Sequence, residues 1–319
     1  MEEFEARMLD PDLVPTYEQL PRVAGLDLPH AWQVLDHDLG SLSFLDDSHR
    51  RAAAQSVELG ESFGLNLALD LIDPPLFGRA RLEHQIVEVG RNTLEDELDR
   101  FNPQSSSQWD GLKHVRAREH GFFGGLTDVD VDPSARGIQH WAAHGIVGRG
   151  VLLDVPRWLA ATGRAWDAFS GAEITAADLR SCADHQDVAI TAGDVLCVRT
   201  GWVAAYRALS PAERQDPALG GRLSGLRADD AMAAFIWNSR LAAVCADNPA
   251  LECVPGDPAV GSLHRRLIPL LGTAVAELLD LDELAARCGE IARWTFLFVA
   301  APLPLPGGVS SPSNALAVL

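Results

Sequence analysis

The 319-residue chain has one lysine, Lys113, and its 26 basic residues face 45 acidic ones for a formal charge of −19. That surface repels phosphate backbones and anionic headgroups, which excludes nucleic acid and membrane as expected partners. Cysteine is scarce as well. Cys182, Cys197, Cys245, Cys253 and Cys288 are odd in number and never spaced as CxxC, so neither a disulfide framework nor a zinc knuckle is expected. No apolar run reaches membrane-spanning length. Met1 is followed by Glu2, Glu3 and Glu5, the reverse of a signal peptide's basic start, and a reduced cytoplasmic protein is expected. Walker A, HExxH and the dinucleotide glycine fingerprint are all missing.

What remains is an ordinary globular composition, 47% hydrophobic and 22% charged. With no repeat or low-complexity linker, residues 1–319 read as a single domain, opening with a Pro-rich irregular arm to about residue 30. Asp46 and Asp47 open a helical pattern over 50–59, and an apolar stretch over 65–72 is strand-like. Residues 84–89 and 97–101 alternate as strands around a turn at Asn92. Residues 150–155 form a buried-strand pattern ending in acid, 175–185 a capped helix, and 193–202 a turn, an apolar strand and a polar tip. A helix over 229–238, a strand over 241–246, an amphipathic helix over 278–288 and a last strand over 294–300 complete the chain. Alternating helices and strands behind clustered strands indicate an α/β fold with a mixed sheet.

Two motifs fail on context. Gly60-Glu61-Ser62-Phe63-Gly64 has the letters of a nucleophile elbow, but a helix precedes it and a strand follows, so it reads as a helix-ending turn. Asp128, Asp130 and Asp132 begin like a calcium loop, yet Pro133 and Gln139 stand where the glycine and glutamate belong. His120, His140 and His144 have no motif around them. Asp247-Asn248-Pro249 follows a strand and either lines a cleft or makes a turn.

The segment Gln104-Ser105-Ser106-Ser107-Gln108-Trp109-Asp110-Gly111-Leu112-Lys113-His114 survives this filter. It gathers amides, hydroxyls, a carboxylate and an imidazole, a composition suited to a site loop. In an extended stretch Gln104, Gln108, Asp110, Leu112 and His114 project to one side. They could converge on a hard cation or a polarised carbonyl; a Ser-rich turn capping a helix near Leu112 is the alternative.

This segment resembles the signature His-x-Gly-Thr-His-x-Asp-x-Pro-x-His of the cyclase family, which includes bacterial kynurenine formamidase and isatin hydrolase. Aligned on Asp110 and His114, its first two histidines fall on Gln104 and Gln108. Gly193-Asp194-Val195-Leu196-Cys197-Val198-Arg199-Thr200-Gly201-Trp202 is similar to the family's Gly-Asp-hydrophobic-Arg-Thr-Gly-Trp strand. His264 with Glu277 resembles its late His and Glu pair, and Pro302-Leu303-Pro304-Leu305-Pro306-Gly307-Gly308 through Ser311-Pro312 its tail.

The resemblance implies a swivelling β/β/α fold and hydrolysis of an amide, imide, ester or lactone of a small cyclic or aromatic substrate. It casts His114, His264 and Glu277 as catalytic, and Gln104, Gln108 and Asp110 as metal ligands. Glutamine oxygens favour Mn²⁺, Mg²⁺ or Ca²⁺ over Zn²⁺, and a metal-free site stays open. Ser107, Trp109, Phe122 and Phe123 are expected to contact substrate. The alternatives are a ring-closing or dehydrating biosynthetic enzyme, or a metal-free binding protein. A homodimer or higher homo-oligomer is also implied.

Overall fold

The apolar runs at 151–153, 195–198, 243–246 and 274–276 are completely buried, and each becomes a central strand covered on both faces. The computed structural model describes residues 13–128 and 132–319. Its strands are β1 (Ser62–Gly64), β2 (Glu83–Gly90), β3 (Thr93–Asp99), β4 (Gln108–Asp110), β5 (Ile146–Asp154), β6 (Glu173–Ile174) and β7 (Val195–Arg199). They continue with β8 (Gly225–Leu226), β9 (Ala243–Ala246), β10 (Ala274–Glu277), β11 (Thr295–Ala300), β12 (Ser310–Pro312) and β13 (Ala315–Val318).

Nine of these form one mixed sheet in the order β1-β13-β11-β5-β7-β9-β10-β4-β12. The middle strands β5, β7, β9 and β10 are parallel, and antiparallel strands flank them on both sides. The chain crosses between the parallel strands through helices. Ala176–His185 opens with a Thr175–Asp178 capping box, and Asp230–Asn238 with an Asp229 cap. Asp46 caps the helix Asp47–Gln55, which starts and stops earlier than the expected 50–59.

Three expectations change. The stretch 65–72 is not a strand: Leu65, Leu67 and Ile72 are buried, but only Asn66 makes a bridge, to Leu279. The serine of Gly60-Glu61-Ser62-Phe63-Gly64 begins the edge strand β1, paired to β13, rather than ending a helix. The last helix is Asp282–Ile291, and part of the run before it is β10. A short, wholly apolar segment has no periodicity that separates strand from helix.

Among the described residues the hairpin β2–β3 pairs only with itself. Among the described residues, no helix is long and apolar enough to cross a membrane.

Candidate active site

Open parallel sheets leave room for ligands at the carboxyl ends of their strands, and Glu277 ends β10. Strand β4 runs antiparallel beside it, with Gln108 opposite Glu277 and Asp110 opposite Val275. Asp110 and Glu277 are 1% and 2% exposed. From the helix Leu263–Arg266, the His264 Nε2 lies 2.9 Å from Glu277 Oε1 and 3.8 Å from Asp110 Oδ2. Its Nδ1 lies 2.9 Å from Glu252 Oε1. Glu252 also accepts from the Ser262 hydroxyl and the Leu263 main-chain N–H.

His114 enters from the other side. A turn closed by its N–H to the Gly111 carbonyl holds its Nε2 3.8 Å from Asp110 Oδ1. These groups border a cleft of about 330 Å³ that Phe77, Arg79, Ala250 and Val254 also line, a size suited to a small molecule.

Environment sets four different protonation tendencies. Burial pushes Glu277 up to about 7, and the Asp110 charge adds to the effect. Burial also opposes ionisation of Asp110, but hydrogen bonding to His264 and the His114 and His264 charges hold its carboxyl below the usual range. Burial lowers His114, leaving a neutral imidazole at neutral pH. For His264 burial is overcome by hydrogen bonds to Asp110, Glu252 and Glu277, which raise it well above the ordinary value. One imidazolium therefore bridges three carboxylates, with a neutral imidazole close by.

Asp110, His264 and Glu277 each offer one ligand atom, all within 4.8 Å of one another. One imidazole nitrogen with two carboxylate oxygens fits a divalent cation. Gln104 and Gln108, expected from the sequence as oxygen ligands, turn their amide N–H groups toward the acids. The Gln104 Nε2 donates to Asp110 Oδ1 at 2.9 Å and lies 3.0 Å from His114 Nδ1. The Gln108 Nε2 donates to Glu277 Oε2 at 2.6 Å. Amide N–H groups seek the carboxylates, the strongest acceptors within reach. Gln108 Oε1 is buried without a partner.

The expected substrate wall is corrected too. Trp109 is fully buried, donates to the Ser313 carbonyl and meets Trp141 and Phe298 edge to face. It points to the opposite side of β4 from Gln108 and Asp110, as strand alternation requires. Ser107 accepts from the Leu67 N–H and donates to the Leu278 carbonyl. Phe123 is core, and Phe122 lies under Arg116. None of the four lines the cleft.

The Gly-Asp…Arg-Thr-Gly-Trp strand has a structural job. Asp194 pairs with Arg149, and Arg199 joins Asp154 to Asp282. Asp247 accepts from Thr200 N–H and hydroxyl and from Gly201 N–H, tying the ends of β7 and β9 together. His120, His140 and His144 sit beside Glu119, Asp38 and Arg50. Of the calcium-like acids, Asp130 lies outside the described residues, and Asp132 closes a turn through Ser134 and Ala135.

Sequence reasoning missed Glu252, Arg79 and Phe77. An acid between Leu251 and Cys253 just beyond a buried strand was a signal for the first; nothing local marks the other two.

The Cyclase family model matches residues 40–253. A crystal structure of a novel cyclase superposes with a TM-score of 0.79 at 28% identity, covering 91% of this chain and 99% of that one. Isatin hydrolase A from Labrenzia aggregata, bound to benzyl benzoate, gives 0.59 at 18% identity over 81% and 93%. Isatin hydrolase A from Ralstonia solanacearum gives 0.59 at 15% over 81% and 92%. Among curated proteins there is no match.

Proposed function

The chain belongs to the cyclase family, and from that premise we propose that it hydrolyses an amide, imide, ester or lactone bond of a small cyclic or aromatic substrate. The observation that carries this reading is the convergence of Asp110, His264 and Glu277 on the floor of a small-molecule cleft, with His114 at its edge. The isatin hydrolases of the same fold support a ring-opening reaction, and formamidase-like cleavage of an open-chain amide is the close variant.

In this mechanism the neutral His114 imidazole removes a proton from water as it attacks the carbonyl carbon. Asp110 steadies the imidazolium that forms. Glu277, held near neutrality, exchanges a proton with the leaving nitrogen or oxygen through His264 Nε2. Glu252 fixes His264 by its bond to Nδ1, so that Nε2 faces the reacting groups. In a metal-bound form, Asp110, His264 and Glu277 would instead hold a divalent ion that supplies Lewis-acid polarisation of the carbonyl, and the proton for the leaving atom would return from His114. The two carboxylates favour Mn²⁺ or Mg²⁺ for that role.

The test is turnover of isatin, phthalimide and N-formylkynurenine by the wild type and by His114→Ala, each with and without chelator. Loss of a hundredfold or more in His114→Ala is expected. Equal rates in the two proteins would remove His114 from the mechanism, and undiminished rates after chelation would remove the metal.

A single domain is supported by the large sheet, which draws strands from β1 through β13. Five buried free thiols support a reducing, cytoplasmic setting. A homo-oligomer is supported by the hairpin β2–β3. Ile86, Leu94 and Leu98 share one face with His84, Glu88 and Asp96 and are 66%, 66% and 47% exposed, while Glu83, Glu95, Glu97 and Asp99 occupy the other. An isolated two-stranded hairpin is marginal in water. A second copy laid against the Ile86, Leu94 and Leu98 side chains would cover them, whereas the faces bearing Glu83, Glu95, Glu97 and Asp99 repel.

A further inference from the structure

Arg79 is the arginine that lines the cleft. Arg149, Arg199, Arg207 and Arg287 each pair with a carboxylate. Among the described residues no carboxylate lies within ion-pair reach of Arg79, although it lines the same cleft as Asp110, His264 and Glu277. Its one hydrogen bond runs from Nη1 to the Gln104 carbonyl. The rest of its five-donor fork is unused by the protein.

The local backbone aims it there. Phe77 and Gly78 both have positive φ, 59° and 70°, and a left-handed phenylalanine is a genuine outlier that flanking structure has to hold. This turn sets the Arg79 guanidinium over the Phe77 ring, 5.1 Å from its centroid, so a cation and an aromatic ring lie stacked at the cleft. Burial lowers Arg79 from its ordinary value, and the charges of Glu277 and Asp110 oppose that shift.

We propose that Arg79 is a carboxylate-binding residue, and that Phe77 with Arg79 forms a subsite for an aromatic or cyclic acid beside the reacting groups. The carboxylate has two sources, a substituent already on the substrate or the acid that hydrolysis releases. The second source rests on the hydrolase reading above; the first does not. Bidentate pairing of a guanidinium with a carboxylate is the contact this geometry offers.

The experiment measures binding of benzoate and of its neutral counterpart benzamide by calorimetry, to the wild type, Arg79→Met and Arg79→Lys. Methionine keeps the packing on Phe77 without the charge. Wild type is expected to prefer benzoate about tenfold or more, Arg79→Met to lose that preference with benzamide affinity unchanged, and Arg79→Lys to keep part of it. No preference in wild type, or the same preference in Arg79→Met, overturns the proposal.

Turnover then separates the sources. With phthalimide, a weaker product inhibition by phthalamate in Arg79→Met assigns the released acid. With 4-carboxyphthalimide, a raised KM in Arg79→Met at unchanged kcat assigns the substituent. If neither imide is hydrolysed, the hydrolase reading fails on these substrates while the benzoate comparison still decides the role of Arg79.

Discussion

Replacing His264 by glutamine removes the one cation that three buried carboxylates share. Its ring nitrogens lie 2.9 Å from both Glu252 and Glu277 and 3.8 Å from Asp110. The attraction of each close pair is several kcal/mol at an effective dielectric near 20, but desolvation cancels much of it. The relevant quantity is the cost of stranding the acids, about 3–5 kcal/mol for a broken buried pair. Glu252→Gln should cost about 1–3 kcal/mol, because the amide loses the negative charge beside His264 and sets an NH2 against either the Leu263 N–H or the Ser262 hydroxyl and His264 Nδ1. In His264→Gln/Glu252→Gln one stranded charge is gone as well, so the double variant should be less destabilised than the sum by about 1–2 kcal/mol. Urea unfolding of the four proteins at one pH, in chelator so that no ion substitutes for the lost cation, measures the cycle. Additivity within about 0.5 kcal/mol would refute the shared network.

Further expectations concern the scaffold, the ligands and the assembly. Burial pushes Asp247 up to about 6, so the native state keeps a proton that the unfolded chain has released. Stability from this group is greatest below about pH 4 and falls by roughly 3 kcal/mol as pH rises to 6; Asp247→Asn should flatten that slope in urea titrations, and an unchanged slope contradicts it. Gly40→Ala places a Cβ against the Gly272 carbonyl oxygen at a φ of +57°, and should lower stability by about 2–4 kcal/mol in thermal or urea unfolding. Gln104→His/Gln108→His should tighten Mn²⁺ binding at least tenfold by calorimetry, since two imidazoles replace two donating amides; unchanged affinity would separate these positions from any metal. Ile86→Glu/Leu94→Glu should convert the assembly to monomer in light scattering, and an unaltered mass would exclude the hairpin as its contact.

The chemistry of the segment 104–114 was legible because side chains with few structural uses were crowded together, and the late His264 and Glu277 were legible by resemblance. The structure brings Asp110, His114, His264 and Glu277 together. The parity argument reached only part of the segment: β4 covers just Gln108–Asp110, Gln104 sits in the turn Pro103–Ser105, and His114 lies beyond Gly111. Trp109 was misread because an aromatic next to site residues on a strand points to the opposite face. Strand β10 was not legible, since four wholly buried residues carry no period. Arg79 and Phe77 were invisible for a different reason. Their roles exist only through contacts made when distant segments meet, as Gln108 meets Glu277 across 169 positions.

The most direct test of the account is turnover of isatin or phthalimide in ¹⁸O-labelled water, by the wild type and by Asp110→Asn. Water attack at the carbonyl predicts one labelled oxygen in the product carboxylate and a loss of a hundredfold or more in Asp110→Asn. Product formed without label, or an undiminished rate in Asp110→Asn, would contradict hydrolysis at this site.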